Sequence, residues 1–202
     1  MKKMIITIIL FVLIVLGILL YRNLSNNKYA SMAEAGNTAV LVQGFLDEMI
    51  PHHQDAVDSS LKVMNDLDIT NGQVRIFAAN VVDNQSFEIS RMENIYRELL
   101  LKEYVPTVMV DAHGTMSTDS ALKGDALAKS YTKEMIKHHK SAIDAAEDYV
   151  KIIDKIKKAT SHSENGLTVT NSHPAIDATY ELAKQIIDTQ TKEIEIMKGW
   201  EF

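Results

Sequence analysis

Apolar residues return every three to four positions along four long stretches of the chain, and one short N-terminal stretch is apolar almost throughout. The first pattern predicts amphipathic helices, the second a membrane span. The helices are expected at about Thr38–Asp66, Asn71–Tyr104, Thr118–Ala159 and Ser172–Trp200. Thr70-Asn71-Gly72 breaks the first from the second. Ser117, Thr118 and Asp119 are candidate caps for the third, and Ser172 with Pro174 in the first turn opens the fourth. The intervening stretches 105–116 and 160–171 are rich in Gly, Ser, Thr, Asn and Pro. Val105–Met109 could be extended, but no other period-2 run exists to pair with it. The expected fold is therefore all-α: an antiparallel four-helix bundle of two helical hairpins, preceded by one transmembrane helix.

That helix is residues 4–21 (MIITIILFVLIVLGILLY). About 20 apolar residues cross a bilayer, whereas the apolar core of a cleaved signal is about 7–15 residues long. The first small-residue cleavage pattern, Ser31-Met32-Ala33, lies well downstream, so an uncleaved anchor at 1–22 is expected. Lys2, Lys3 and the terminal amine outweigh Arg22 and Lys28 across the span, which puts the N-terminus in the cytoplasm and the bundle outside. Residues 23–37 form a polar linker. The bundle then occupies 38–202, as one repeat at 38–104, a connection at 105–117 and a second repeat at 118–202.

The repeats carry the chemistry. Glu48-Met49-Ile50-Pro51-His52-His53 returns as Glu134-Met135-Ile136-Lys137-His138-His139. Gln85-x-x-Glu88-Ile89-x-x-Met92 returns as Gln190-x-x-Glu193-Ile194-x-x-Met197. At 100° per residue, His53 sits at the centre of an apolar stripe, with Val42, Leu46, Met49, Val57, Ser60, Met64 and Leu67 within roughly 40°. His52 falls about 100° away, at the flank. His139 and His138 repeat that placement. Glu88 lines up with Phe77, Val81, Met92, Ile95 and Leu99, and Glu193 with Leu182, Ile186, Met197 and Trp200. Each helix thus aims one ionisable group into the core: His53, Glu88, His139 and Glu193. A buried, unpaired Glu costs several kcal/mol or gives up its charge. A metal ion or a His–Glu network would offset that cost, and repetition alone does not separate the two.

Composition narrows the choice of ion and partner. There is no cysteine, so thiolate sites and disulfides are excluded. A net charge of −6 leaves no basic stripe for nucleic acid. Ten methionines supply thioethers, and Met49/His53 and Met135/His139 are pairs one turn apart that can share an ion. Thioether with imidazole suits copper. The carboxylate–imidazole core taken alone suits iron. However, Glu48-x-x-x-His52 and Glu134-x-x-x-His138 are one residue longer than the Glu-x-x-His spacing of di-iron bundles. Pro51 removes a helical hydrogen bond just before His52, and Lys137 stands in its place in the second copy, so a bend is expected in the first repeat only.

The string Phe45-Leu46-Asp47-Glu48-Met49-Ile50-Pro51-His52-His53-Gln54 and the closing Glu193-Ile194-Glu195-Ile196-Met197-Lys198-Gly199-Trp200 resemble the family called domain of unknown function 305. The resemblance covers about residues 40 to 202 and departs at Lys137 and Lys140. It implies a ferritin-like bundle in an exported or membrane-anchored protein, and some members of that family are linked to copper. The leading expectation is an anchored, extracytoplasmic copper protein for sequestration or handover, not a catalyst. Its core ligands would be His53, His139, Glu88 and Glu193, its soft ligands Met49, Met92, Met135 and Met197, and its outer sites His52 and His138. The alternatives are an iron or mixed-metal oxidase and a metal-free module with a His–Glu core.

Overall fold

The structure, a computed structural model, describes residues 38–106, 116, 121–161 and 174–202. The expected span 4–21, the linker 23–37, most of the connection 105–117, the capping Ser172, and His113, His162 and His173 lie outside them. The described residues form four helices and no strand. We label them α1 (Thr38–Asn65), α2 (Gly72–Leu100), α3 (Gly124–Ser161) and α4 (Pro174–Lys198). Among the described residues no helix is long and apolar enough to cross a membrane.

The apolar stripes bury themselves in two clusters stacked along the bundle. Leu41–Ile50 of α1, Met92–Tyr96 of α2, Ala142–Ile153 of α3 and Ala175–Ile186 of α4 supply the first. Ala56 and Val63 of α1, Val74–Val81 of α2, Leu127–Met135 of α3, and Ile194 and Met197 of α4 supply the second. The order in which each helix visits the clusters gives its direction. α1 and α4 run from first to second, and α2 and α3 run back. The packed neighbours, α1 with α2, α3 with α4, α1 with α3 and α2 with α4, are therefore all antiparallel. α2 ends at the first cluster and α3 begins at the second. Tyr104 packs at the first cluster and Met116 is buried in the second.

Local chemistry sets the helix ends, and three of them differ from the expected positions. α2 stops at Leu100, short of Tyr104, because Leu101 turns left-handed (φ 53°) and gives its N–H to the Arg97 carbonyl at 2.9 Å. Tyr104 folds back edge-on to Tyr96, ring centroids 5.3 Å apart. α3 starts at Gly124, not near Thr118: Gly124, its first residue, has φ +57°, a left-handed backbone through which a right-handed helix does not continue. α4 ends at Lys198, and Trp200 instead sets its ring edge-on to Phe77 at 5.1 Å. α1 runs through Pro51 without a break.

The α1–α2 turn is tied to the start of α3. The Gly124 N–H donates to Asp66 Oδ2 at 2.9 Å, and the Thr70 N–H and hydroxyl donate to Asp125 at 2.8 and 2.6 Å. The donated hydrogens hold both carboxyls below the usual range: chiefly the Gly124 N–H for Asp66 and the Thr70 hydroxyl for Asp125. Asn71 caps α2 by accepting from the Gln73 N–H at 3.0 Å. A Cβ on Gly124 would lie 3.1 Å from the Asp68 carbonyl, whereas one on Gly72 meets nothing within 4 Å. Gly124→Ala is therefore expected to destabilise by about 1–2 kcal/mol. Gly72→Ala, in ordinary helix, should stabilise by about 0.4–1 kcal/mol. Thermal unfolding of the two variants gives opposite shifts if this account of the turn holds.

Candidate metal centre

Between the two apolar clusters lies a polar layer to which each helix contributes two side chains: His52 and His53 from α1, Gln85 and Glu88 from α2, His138 and His139 from α3, and Gln190 and Glu193 from α4. All four imidazoles are at most 3% exposed. Within the first hairpin His53 Nε2 meets Glu88 Oε2 at 2.9 Å, and within the second His139 Nε2 meets Glu193 Oε2 at 2.7 Å. Between these pairs the rings of His52 and His138 lie against each other, centroids 3.7 Å apart at 36°. Each is 6.3 Å from the neighbouring ring on its own helix. The four imidazoles form a row across the bundle, closed by a carboxylate at either end.

Hydrogen bookkeeping assigns the tautomers. A carboxylate oxygen accepts, so His53 and His139 donate through Nε2–H, and Nδ1 of each is left buried without a partner. Ser141 spends its hydroxyl hydrogen on the His138 carbonyl at 2.7 Å, so His52 Nε2–H donates to Ser141 Oγ at 2.9 Å. Neither ring nitrogen of His138 has a hydrogen-bond partner, and its Nε2 is 3.7 Å from Asp55 Oδ2, too far for a hydrogen bond. Burial, then the neighbouring His139 and His53, push the His138 imidazole down to about 3, while the His52 backbone acts weakly the other way. Burial also pushes the Asp55 carboxyl up, against the opposing pull of the Met116 N–H it accepts; Asp58 adds to the rise and Lys62 opposes it. Gln85 and Gln190, one turn before each Glu, are buried with both amide atoms unpartnered.

The structure thus brings His53 to Glu88 and His139 to Glu193, as the wheel projection expects. Met49 and Met92 are buried in the first apolar cluster, and Met135 and Met197 in the second, so thioether residues bracket the layer from both sides. The expectation that His52 and His138 sit at an outer flank is corrected: they are buried at the centre. The reason is that each helix packs against two neighbours. His53 faces α2, and a residue about 100° round the helix faces α3, so the flank of one stripe is the next interface. Sequence reasoning missed Asp55, Ser141 and Met116. Asp55 and Ser141 occupy the same place in the two repeats, three residues after His52 and His138, and that alignment was the signal for both. Nothing in the sequence marks Met116. Among the described residues no three His, Asp or Glu side chains converge as a ready set of metal ligands. The orphaned imidazole nitrogens and the methionines on either side of the layer are nonetheless a donor set that fits a soft ion.

The sequence profile of the family described as Domain of unknown function (DUF305) matches residues 23–96 and 42–160. The chain belongs to this family. A comparison of this DUF305 chain with curated proteins finds no match. Among solved structures it is similar to CopM in the Cu(II)-bound form, at 24% identity and a TM-score of 0.57, over 79% of this chain and 94% of that one. The Cu(I)-bound form and a co-crystallised silver-bound form match at the same identity, with TM-scores of 0.54 and 0.53. At this identity the likeness establishes a shared bundle fold.

The depressed His138 has a consequence for the DUF305 bundle. An unfolded His titrates near 6.5, so on acidification the unfolded chain takes up a proton that the folded one refuses. The stability contributed by neutral His138 is complete above about pH 6.5 and is lost progressively toward pH 3. The melting temperature of metal-free protein should fall across that window, and His138→Gln should flatten the fall, as measured by unfolding at half-unit pH steps.

Proposed function

We propose that the protein binds copper in the polar layer and sequesters it or hands it on. The observation that carries this is the pair of buried imidazoles, His53 and His139, each held through Nε2 by a glutamate with Nδ1 left unpartnered. Metal-binding histidines are oriented in this way, one ring nitrogen fixed by a carboxylate and the other offered to the ion. Glu88 and Glu193 orient the rings, Met49, Met92, Met135 and Met197 supply the soft donors, and His52 and His138 lie between the halves. Bound copper would give the stranded nitrogens a partner and take up thioether coordination that suits Cu(I). The fold shared with CopM, solved with Cu(II), Cu(I) and silver, supports the choice of ion.

Residues 4–21 would anchor the bundle to the membrane with the polar layer on the extracytoplasmic side, where it meets incoming metal. The over-long Glu-x-x-x-His spacing speaks against an iron oxidase. A metal-free reading has one observation in its favour: the two His–Glu bonds are already closed without an ion. Substituting His53 and His139 together with Ala should abolish tight copper binding by protein purified without a His-tag. Unchanged stoichiometry and affinity in that variant, or a melting temperature indifferent to chelator in the unaltered protein, would remove copper from this layer.

A further inference from the structure

The two halves of the layer follow the same repeat but differ where each inner imidazole meets the other hairpin. Opposite His52 stands Ser141, a neutral hydroxyl whose hydrogen is committed to the His138 carbonyl and whose oxygen takes the His52 N–H. Opposite His138 stands Asp55, a carboxylate. The first contact is a closed hydrogen bond. The second is open: at 3.7 Å nothing bonds His138 Nε2 to Asp55 Oδ2, and both His138 ring nitrogens are buried without partners.

We propose that Asp55 and His138 form a second cation site, separate from the His53 and His139 nitrogens, for a divalent ion that accepts a carboxylate oxygen and an imidazole nitrogen, such as Cu(II). Bonds of about 2 Å to one ion hold two donors about 3–4 Å apart, which matches the observed gap. The donor pair is hard carboxylate with borderline imidazole and no thioether, the set that divalent ions prefer and Cu(I) does not. Water completes the coordination. Asp55 is 26% exposed at its side chain while His138 is fully enclosed, so the ion lies between solvent and core. No third His, Asp or Glu of the described residues joins them. Asp58, one turn on, adds negative potential at the site and Lys62 reduces it. The Met116 N–H, donated to Asp55 Oδ2, leaves the carboxylate further lone pairs and ties Met116 to the site. This site rests on reading the polar layer as a metal centre, and it makes that centre unequal: an oxygen-bearing position in the Asp55 half and none in the Ser141 half.

The test titrates the full chain, in detergent and without a His-tag, with Cu(II) and separately with Ag(I) as a redox-inert soft probe. Asp55→Ser places in the first repeat the residue the second repeat already carries. It should lose one Cu(II) equivalent, or weaken Cu(II) binding at least tenfold, with Ag(I) binding within twofold of the unaltered protein. Asp55→Asn keeps an acceptor for the Met116 N–H and should do the same; it decides alone if Asp55→Ser loses helical circular dichroism. Cu(II) binding within twofold of the unaltered protein in the folded variants overturns the site. So does a parallel fall in Cu(II) and Ag(I) binding in variants with unaltered circular dichroism. Asp55-dependent Cu(II) binding by a protein that takes up no Ag(I) would support this site while overturning the soft one.

Discussion

The structure is organised around six ionisable side chains at mid-height in a four-helix core, five of them buried and Glu88 partly so. Four imidazoles and two carboxylates interrupt what would otherwise be one continuous apolar interior, and they divide it into the cluster around Phe45 and Tyr149 and the cluster around Val63 and Tyr131. Such groups are tolerated only with partners, because an unpaired carboxylate in low dielectric costs several kcal/mol. That requirement fixes heights. His53 and Glu88 must meet across α1 and α2, and His139 and Glu193 across α3 and α4, so the register of each hairpin is set by a 2.9 or 2.7 Å bond as well as by apolar packing. The turn between α1 and α2 is held in turn by Asp66 and Asp125 against the start of α3.

The two hairpins are joined by the His52–His138 contact, and here the pairing is incomplete. The outer imidazoles each satisfy one nitrogen and strand the other; His138 strands both. The buried amides of Gln85 and Gln190 add further unpartnered atoms at the same level. Buried polar groups left in this state are costly, and they concentrate where a protein keeps donors ready for something other than itself. The bundle therefore keeps closed pairs at the rims of the layer, where glutamates meet partial solvent, and open valences toward the middle. This distribution is what makes a bound ion the reading that accounts for the most atoms at once.

Much of this was legible along the chain. The stripe geometry placed His53, Glu88, His139 and Glu193 in the core, because a stripe centre faces inward however the helix is paired. It misplaced His52 and His138, because the same geometry says nothing about a helix's second neighbour, and the α1–α3 contact is what buries them. It extended α3 back to Thr118, since local capping residues are present there. The positive φ of Gly124 bounds the helix instead, and the Asp66 carboxylate from another part of the fold holds the Gly124 N–H there. Asp55 carries no periodicity signal of its own; what singles it out is its place against His138 and the Met116 N–H in the folded bundle.

By itself the sequence determined that the chain makes four amphipathic helices in two repeated hairpins, that one ionisable side chain per helix lies on the apolar face, and that thiolate chemistry is excluded. These follow from periodicity and residue type, which are local properties. Only the tertiary structure decided which carboxylate holds which imidazole, that the rings of the inner histidines meet between hairpins, and that Asp55 in one repeat and Ser141 in the other make the halves unequal. Those are distances between residues far apart in the chain, set by the antiparallel register of the helices, and no local pattern encodes them.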